Sequence, residues 1–592
     1  MALVAAGLNS LFPRPRSITS LDGDDVPAGV VAVETPDASL PPQGYVLRVA
    51  DGEVRLAYAD DAGRRYGRAT LAQLAAGGEA LPAVEITDWP DLPDRGFMLD
   101  VSRDRVPTRE TLTRILDLLE AARYTQLQLY TEHTFAYAGH EEVWADASPL
   151  TPDDVRWLDA SCAARGIELV PNQNVFGHME RWLAHDTYAD RAESPGGYTL
   201  AGSVRKPAVL EPTADNAAFA LGLLEELLPN FSSRRVNIGA DETFELGLGR
   251  SRDRVAAEGR GAVYVEYVQR ILGPLVERGY EVQYWADVLA HHPEYAAALG
   301  GVPIVWLYDS PSAIERALDL PAATKERMAA FDASPEQQLG GFATRGAAVI
   351  AAGIPFWVAP GTGTWQSIVG RLDNARENIL DAATTALAHG GTGFLLTQWG
   401  DHGMVEPPPV AFAPLLYGGA VAWCSAANAD LDLATTTAEL AFGDATHRTG
   451  DALVRLGTLG TDLGMPALNA TLLFASLFPG RSGMVTTDGL TADAVERVLG
   501  TIDAQLASLD LATPQGPDAD LVLAELQHAA RLARFGARVL LADVGGGALP
   551  SVAELDDLLV TQRELWLARS RPGGLSDSLA KFGPLREKLA AG

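Results

Sequence analysis

The chain has 592 residues, of which 47% are hydrophobic and 21% are charged, and this composition is typical of a globular protein with roughly two to four domains. Its formal net charge of −31 disfavours binding to nucleic acid and to anionic membranes. No apolar run approaches the roughly 20 residues that span a bilayer, and the first residues lack the basic segment and long apolar core of a secretory signal.

Residues 1–93 are predicted to form a small α/β domain. Short strand-like runs at Gly29–Val33, Gly44–Val49 and Glu53–Tyr58 precede a helical pattern that starts near Gly67. The proline-rich stretch that follows, residues 88–94, predicts a joint to the next domain.

The region 94–425 has the most informative pattern, because short apolar strands alternate with helical segments along its whole length. Thr108 and Thr151 stand where the N-caps of two of these helices are expected. Eight alternating strands favour a (β/α)₈ TIM barrel over the rival fold, a doubly wound open sheet. The predicted strands are Gly96–Ser102, Gln126–Thr131, Glu168–Asn174, Arg235–Asp241, Val282–Val288, Pro303–Asp309, Pro355–Thr362 and Gly393–Gly400.

The last region, residues 426–592, is predicted to be helical. Leu526, Ala530 and Leu540 belong to one long amphipathic pattern, and Leu555 and Trp566 belong to the next. We expect these helices to pack on one another and on the barrel.

In a TIM barrel the functional residues lie at the carboxyl ends of the strands. Four of the eight predicted strand ends carry tryptophan, as Trp285, Trp306, Trp365 and Trp399, although the chain has only 11 tryptophans. The flat indole face complements the C–H face of a pyranose. The sequence therefore predicts a sugar pocket. The alternative for each tryptophan taken alone is that it belongs to the barrel core.

The pair Asp241–Glu242 follows the fourth predicted strand. A glycosidase needs one carboxyl group that protonates the leaving oxygen and a second group that stabilises the developing positive charge. When the substrate carries a 2-acetamido group, its own carbonyl oxygen can act as the nucleophile, and the second carboxylate then orients the acetamide. A bare Asp-Glu pair is usually a solvated surface pair, but its position after a barrel strand favours a catalytic role.

Three segments together resemble glycoside hydrolase family 20, the β-N-acetylhexosaminidases. Residues 237–242 resemble its motif at the end of the fourth strand, residues 95–103 resemble its opening Arg-Gly-x-x-Leu-Asp strand, and residues 165–178 resemble its third strand. The resemblance covers roughly residues 40–425.

The resemblance implies a role for each matched residue. Glu242 would be the general acid/base and Asp241 would hold the acetamide nitrogen. Arg95 would bind sugar hydroxyls, and Asp401 would accept hydrogen bonds from others. Trp399 would form the pocket wall, and His178 would belong to a supporting network or be a structural histidine.

The chain departs from the family motifs at several positions. Asn237 replaces the leading histidine, Asn174 replaces an acidic residue, and Phe176 replaces a proline. Trp365 takes the place of the tyrosine that donates to the acetamide oxygen, a role for which Tyr308 is a second candidate, and Asp401 is shorter than the usual glutamate. These changes leave the choice between GlcNAc and GalNAc open.

Two sequence features have no assigned role. His133, next to Glu132, is predicted either to bind substrate in the pocket or to pack beneath it. The cluster 569–574 either folds back toward a pocket, including that of a partner subunit in a homodimer, or is simply a helix end followed by a turn.

The expected ligand is an oligosaccharide or glycoconjugate, and neither a cofactor nor a metal is predicted. The two cysteines, Cys162 and Cys424, are far apart and predict free thiols in the cytoplasm. The alternatives are a retaining glycosidase with a carboxylate nucleophile such as Asp287, and a non-catalytic sugar-binding protein.

Overall fold

The computed structural model describes residues 11–331, 333–480 and 485–591. Its N-terminal part is a five-stranded sheet, with one helix, Asp61–Ala76, packed on it. The order of the strands across the sheet is Ser17–Ser20, Val84–Asp88, Tyr45–Ala50, Glu53–Tyr58 and Val33–Pro36. A short ladder pairs Val26–Pro27 with Ala80–Leu81.

A closed barrel of eight parallel strands follows, which confirms the predicted TIM barrel and rules out the open sheet. In chain order, the first to eighth barrel strands are Asp94–Asp100, Gln126–Thr131, Glu168–Gln173, Arg235–Asn237, Glu281–Trp285, Val302–Trp306, Trp357–Ala359 and Gly393–Gln398. Several strands are shorter than predicted: the fourth ends at Asn237, before the acidic pair, and the fifth ends at Trp285, before Asp287.

Long helices surround the barrel, and their caps follow from the sequence. Thr108 accepts a hydrogen bond from the backbone of Thr111, and Thr151 forms a capping box with Asp154. Both predicted caps are therefore confirmed. The longer helices of this region are Arg109–Ala121, Pro152–Ala163, Ala214–Leu227, Arg252–Glu258, Arg260–Glu277, Pro311–Ala317, Ala322–Ala329, Leu372–His389 and Phe412–Trp423.

Shorter elements fill the loops of the barrel region. They include a hairpin of Tyr198–Leu200 with Ser203–Arg205, which stands beside the mouth of the barrel. The short helices are Glu141–Trp144, Glu180–Leu183, Asp186–Ala189, Asp287–His291, Ala296–Leu299, Pro335–Gln338, Gly341–Arg345 and Ala347–Ala352.

The C-terminal region is helical, as its pattern predicts. Its longer helices, Ala492–Leu509, Ala519–Asp543 and Val552–Arg569, pack around their own apolar core. The remaining helices are Ser425–Asn428, Leu433–Thr436, Thr437–Phe442, Arg448–Leu456, Leu459–Asp462, Leu472–Leu477, Leu575–Ala580 and Gly583–Ala591. The domain boundaries at 93 and 425 stay a prediction.

The cluster 569–574 packs against the barrel of its own chain. The carbonyl oxygen of Arg569 accepts hydrogen bonds from Thr108 N and Thr111 Oγ1, at 3.0 and 2.7 Å. Arg571 donates to the carbonyl oxygen of Pro149. The cluster therefore joins a helix end to the outside of the barrel. Within the three described ranges, no helix combines the length and the apolar composition that crossing a bilayer needs.

Candidate active site

A pocket of about 320 Å³ lies at the carboxyl ends of the barrel strands. This is the end at which a TIM barrel carries its functional residues. Side chains from several barrel loops and from the C-terminal region converge there. Its lining includes His178, Tyr198, Arg205, Glu242, Trp306, Tyr308, Asp309, Met328, Phe331, Arg345, Gln366, Asp401, Leu468 and Asn469.

A tight backbone turn carries the acidic pair at the mouth of the barrel, where Glu242 lines the pocket. Gly239, Ala240 and Glu242 all have positive φ, at 67°, 67° and 49°, which is costly for the two residues that are not glycine. The turn is held from outside: Asn174 Oδ1 accepts a hydrogen bond from Ala240 N, and Tyr264 OH donates to Ala240 O. A Cβ at position 239 would lie 2.7 Å from Asn174 Cγ, so glycine is needed there.

His178 lies between the two carboxyl groups. Its Nε2 is 3.4 Å from Asp241 Oδ2 and 3.6 Å from Glu242 Oε2. Burial alone would lower the pKa of His178, but the Asp241 charge and hydrogen bond raise it to about 10, so the ring is an imidazolium at neutral pH. The histidine thus supplies a positive charge to both carboxyl groups.

The two carboxyl groups titrate in opposite directions. Burial raises the pKa of Glu242 to about 7; the charges of Asp241, Asp401 and Asp287 add to this, and His178 opposes it. Burial also acts to raise the pKa of Asp241, but His178 and a hydrogen bond from Asn174 Nδ2, at 2.8 Å, bring it below its usual value. Near neutral pH, Glu242 can therefore hold a proton while Asp241 is a carboxylate, which is the division of roles that general acid catalysis needs.

Asp287 supports the acidic turn from below. Its Oδ2 accepts a hydrogen bond from the backbone N of Glu242 at 3.1 Å. Burial raises the pKa of Asp287, and the neighbouring Asp241 charge raises it further. Asp287 is absent from the residues that line the pocket.

Aromatic side chains from the fifth to eighth strands fill the barrel beneath the pocket. Trp306 and Tyr308 are half-buried and stacked, with ring centroids 5.2 Å apart, and both line the pocket. Trp399 is 6% exposed and contacts Tyr130 edge-on at 4.6 Å. Trp285 is fully buried, 5.6 Å from Trp399. Trp306 and Tyr308 therefore line the pocket and Trp285 is buried away from it; that these rings bind a sugar stays a prediction.

The prediction for Arg95 is wrong. The first strand begins at Asp94, so Arg95 lies at the amino end of the barrel, where it is fully buried against the small domain. Its guanidinium donates to the carbonyl oxygens of Leu92 and Arg123 and to the side chains of Gln43 and Tyr66. All of these partners are far from the pocket, so Arg95 joins the two domains.

Arg103, which was not among the predicted site residues, lies beside His178, the histidine between the two acidic residues. It follows the carboxyl end of the first strand, and its side chain is 19% exposed. It pairs with Asp100 at 2.8 Å and with Glu132 at 3.1 Å, and its Nη2 lies 3.4 Å from His178 Nδ1. Its guanidinium also lies over the ring of Trp399. The rule that function lies at carboxyl strand ends would have identified it.

His133 lies outside the pocket. It lines a separate cavity of about 440 Å³ together with Arg181, His185 and Asp577. Burial lowers the pKa of His133 to about 3, so the ring is neutral. The expected contact between His133 and substrate in the pocket is therefore wrong, and the alternative expectation, that it packs away from the pocket, agrees with its position.

The prediction that the Trp365 N–H donates to the substrate is also wrong. Its Nε1 donates to Asn469 Oδ1 at 2.8 Å, and the ring is fully buried. Asn469 itself reaches the pocket from the C-terminal region. No sequence pattern predicts that Asn469 reaches the pocket, because its position depends on how the loop between the short helices Leu459–Asp462 and Leu472–Leu477 packs on the barrel.

Two adjacent segments of the chain match models of one family. Residues 8–89 match "Glycosyl hydrolase family 20, domain 2", and residues 93–320 match "Glycosyl hydrolase family 20, catalytic domain"; together they span just over half of the chain. The chain belongs to glycoside hydrolase family 20. The catalytic match includes the Asp241–Glu242 turn and stops before the last two barrel strands.

Sequence relatives of this family 20 chain are distant. A β-hexosaminidase of Akkermansia muciniphila is 27% identical over 318 residues, which are 48% of this chain and 64% of the relative. Human hexosaminidase D is 25% identical over 214 residues, which are 34% of this chain and 42% of the relative. The alignments thus cover less than two thirds of each relative's length.

Solved structures share the fold of this family 20 chain. A chitobiase of Flavobacterium johnsoniae aligns over 97% of this chain and 98% of its own, with a TM-score of 0.52 and 14% identity. An exo β-N-acetylglucosaminidase of Vibrio harveyi aligns over 77% and 79%, with a TM-score of 0.53 and 14% identity. At these identities the likeness supports the fold, and the activity of this chain has to be argued from its own site.

Proposed function

We propose that this chain is an exo-acting, retaining glycosidase that removes a terminal β-linked N-acetylhexosamine, with the substrate's 2-acetamido group as the nucleophile. One observation carries the proposal: His178 and Asn174 hold Asp241 ionised, beside a Glu242 carboxyl group whose pKa is about 7. Family membership and the aromatic pocket wall support the same reaction.

Glu242 supplies the proton in the first step. With a pKa of about 7 it is largely protonated below neutral pH, and it lines the pocket. It protonates the glycosidic oxygen as the bond to the anomeric carbon breaks. The resulting carboxylate then removes a proton from the water that attacks in the second step.

Asp241 acts on the acetamide and does not attack carbon. Its carboxylate accepts a hydrogen bond from the acetamide N–H, which makes the carbonyl oxygen more nucleophilic. That oxygen bonds to the anomeric carbon and forms a cyclic oxazolinium ion, whose positive charge Asp241 stabilises. Water opens the ring from the opposite side, so two inversions retain the β configuration.

The shape of the pocket supports attack at a chain end. The hairpin residues Tyr198 and Arg205 line the pocket together with Phe331, over whose ring Arg205 lies, and Met328 and Asn469 also line it. Trp306 and Tyr308 offer stacked rings for the apolar face of one sugar. We propose Arg103 as the cation that binds the substrate, in place of Arg95.

The second candidate reaction, with Asp287 as a covalent nucleophile, has less support. One of its oxygens already accepts a hydrogen bond from the Glu242 backbone N–H, so the carboxyl group has a structural contact that holds it in place beside the acidic turn. The third candidate is a sugar-binding protein without activity. Binding alone would not need the pKa values of Asp241 and Glu242 to differ as they do.

Hydrolysis of paired phenyl β-GlcNAc and phenyl β-GalNAc tests the proposal and measures the sugar preference. Phenol is a poor leaving group and needs protonation, so Glu242→Gln should lower kcat by roughly 10²–10⁴-fold. A thiazoline mimic of the cyclic intermediate should inhibit the wild type competitively. Turnover without thiazoline inhibition would instead favour a carboxylate nucleophile, and no turnover of either substrate would favour the binding protein.

The two cysteines support a cytoplasmic location for this reaction. Cys162 and Cys424 are free and buried, and burial raises the pKa of Cys162 to about 12, which makes it unreactive. Two unpaired structural thiols are typical of a reducing compartment.

A further inference from the structure

We infer that Asn469, contributed by the C-terminal helical region, is a specificity-determining residue whose side-chain amide donates a hydrogen bond to an oxygen of the bound sugar. The inference rests on the proposed function, because it names a contact in the same pocket. It also gives the C-terminal helices a role, since they carry this residue to the barrel mouth.

The backbone of Asn469 is fixed to the barrel by a buried charge pair. Its N–H donates to both oxygens of Asp309, at 2.9 and 3.1 Å. Asp309 is in turn paired with Arg371 at 2.6 Å, and both side chains are only 7% exposed. The next anchor along the loop is Thr471, whose N–H donates to the carbonyl oxygen of Gln366 at 3.0 Å. The loop therefore sits at a defined place on the pocket wall.

The conformation of Asn469 fits a functional position. Its φ is 49°, in the left-handed region, which asparagine tolerates better than most residues. Gln366 and Ile368, on the barrel loop that this segment contacts, also have positive φ, at 52° and 74°. Three such residues at one contact mark a locally strained backbone, and strain of this kind clusters at ligand sites.

The orientation of the Asn469 amide follows from its partner. Trp365 Nε1 can only donate, so the atom 2.8 Å from it must be the amide oxygen, Oδ1. The amide nitrogen, Nδ2, then faces away from the indole. It has no hydrogen-bond partner among the described residues, and Asn469 lines the pocket that holds Glu242 and Asp401. Two hydrogens of a fixed amide are thus available to a ligand.

A donor at this place complements other residues of the pocket. Asp309 and Asp401 also line it, and an ionised carboxylate can only accept hydrogen bonds. A sugar oxygen has lone pairs that also need a donor when the pocket closes around it. Asn469 Nδ2 supplies that donor.

Two substitutions at this position test the inference. Asn469→Gly removes the amide, keeps the backbone N–H to Asp309 and relieves the positive φ. Asn469→Asp keeps the acceptor for Trp365 but replaces the free donor by an acceptor. We expect kcat/KM for the preferred aryl glycoside to fall by roughly 10-fold in the glycine variant, and further in the aspartate variant. The glycine variant also removes the acceptor of the Trp365 N–H, so its melting temperature should fall slightly, and kcat/KM is measured well below that temperature.

The matched control is Asp51→Gly. Asp51 also has a left-handed backbone, with φ 55°, but it lies in an exposed turn of the small domain. This control should keep wild-type kcat/KM. A third variant, Trp365→Phe, keeps an aromatic ring but removes the N–H that orients the amide, together with part of the buried indole. It should lower kcat/KM in the wild type and have a smaller effect in the Asn469→Gly background.

The pattern of loss identifies the oxygen that is bound. If kcat/KM of the Asn469 variants falls for only one of the GlcNAc and GalNAc substrates, the contact is assigned to the C4 hydroxyl. An equal loss on both assigns it to an oxygen that the two sugars share. Wild-type kcat/KM and KM in both Asn469 variants would overturn the inference.

A binding measurement separates this inference from the proposed function. If the wild type hydrolyses neither aryl substrate, titration with free N-acetylglucosamine, followed by tryptophan fluorescence, still measures affinity in the pocket. Weaker binding by Asn469→Gly than by Asp51→Gly then supports the contact. Equal binding by the two variants refutes it.

Discussion

Replacing His178 by glutamine should move the pH profile of the enzyme toward higher pH at both ends. The proposed mechanism needs Asp241 ionised and Glu242 protonated, so the acid limb of kcat/KM reports the first pKa and the alkaline limb reports the second. The imidazolium of His178 lowers both pKa values. Glutamine keeps a polar side chain of similar reach but removes the positive charge.

The distances bound the size of the effect. Charges 3.4 and 3.6 Å apart interact with about 5 kcal/mol at an effective dielectric constant of 20, and about 1.4 kcal/mol corresponds to one pKa unit. This upper limit applies best to Asp241, whose side chain is 8% exposed. Glu242 is 39% exposed, so solvent screens its share more strongly. We therefore expect the acid limb to rise by roughly two units and the alkaline limb by roughly one.

The assay is kcat/KM for a phenyl β-N-acetylhexosaminide from acid to alkaline pH. The alkaline limb of the wild type should lie near the pKa of Glu242, about 7. His133→Gln is the matched control, because His133 lines another cavity and burial lowers its pKa to about 3, so no charge is lost. If His178→Gln and the wild type have coincident limbs, the electrostatic role of His178 is refuted.

Two further predictions follow from the buried charges. Arg103→Lys should lower kcat/KM by roughly 10-fold or more, because lysine cannot reproduce the forked guanidinium that contacts Asp100 and Glu132. Arg95→Lys should lower the melting temperature and leave kcat/KM near the wild-type value. If Arg95→Lys lowered kcat/KM and Arg103→Lys did not, Arg95 would regain the role first expected for it. Burial raises the pKa of Glu406 to about 8, so between pH 4.5 and 8 the folded chain keeps a proton that the unfolded chain releases, and the free energy of unfolding falls as the pH rises. Glu406→Gln should remove this pH dependence and raise the free energy of unfolding at pH 8 by up to about 4 kcal/mol, with little gain at pH 4. Urea unfolding at both pH values measures the difference. An equal gain at pH 4 and pH 8 would contradict the raised pKa of Glu406.

Local pattern was enough to predict the barrel. Apolar runs that alternate with capped helices reflect which faces must be buried, and that requirement repeats along the chain regardless of distant contacts. The exact strand ends were less predictable. The fourth strand stops at Asn237 because the left-handed turn at Gly239 and Ala240 breaks the ladder.

Two of the three wrong site predictions, those for Arg95 and Trp365, have different origins. Arg95 lies at the start of the first strand and Arg103 lies just past its end. The direction of the strand decides which of the two is near the mouth of the barrel, so the correct choice could have been made from the sequence. The indole of Trp365 could not be judged in this way, because its N–H is bound by Asn469, a residue 104 positions later in the chain.

The sequence by itself therefore determined the barrel and the helical C-terminal region, and it pointed to Asp241 and Glu242 as the acidic pair. These features depend on periodicity and on short motifs, which are local. The charge states of the pair and the position of Asn469 in the pocket lining depend on how distant parts of the chain pack together. A pKa depends on burial and on charges a few ångströms away, and those neighbours, such as His178 and Asn174, come from other strands.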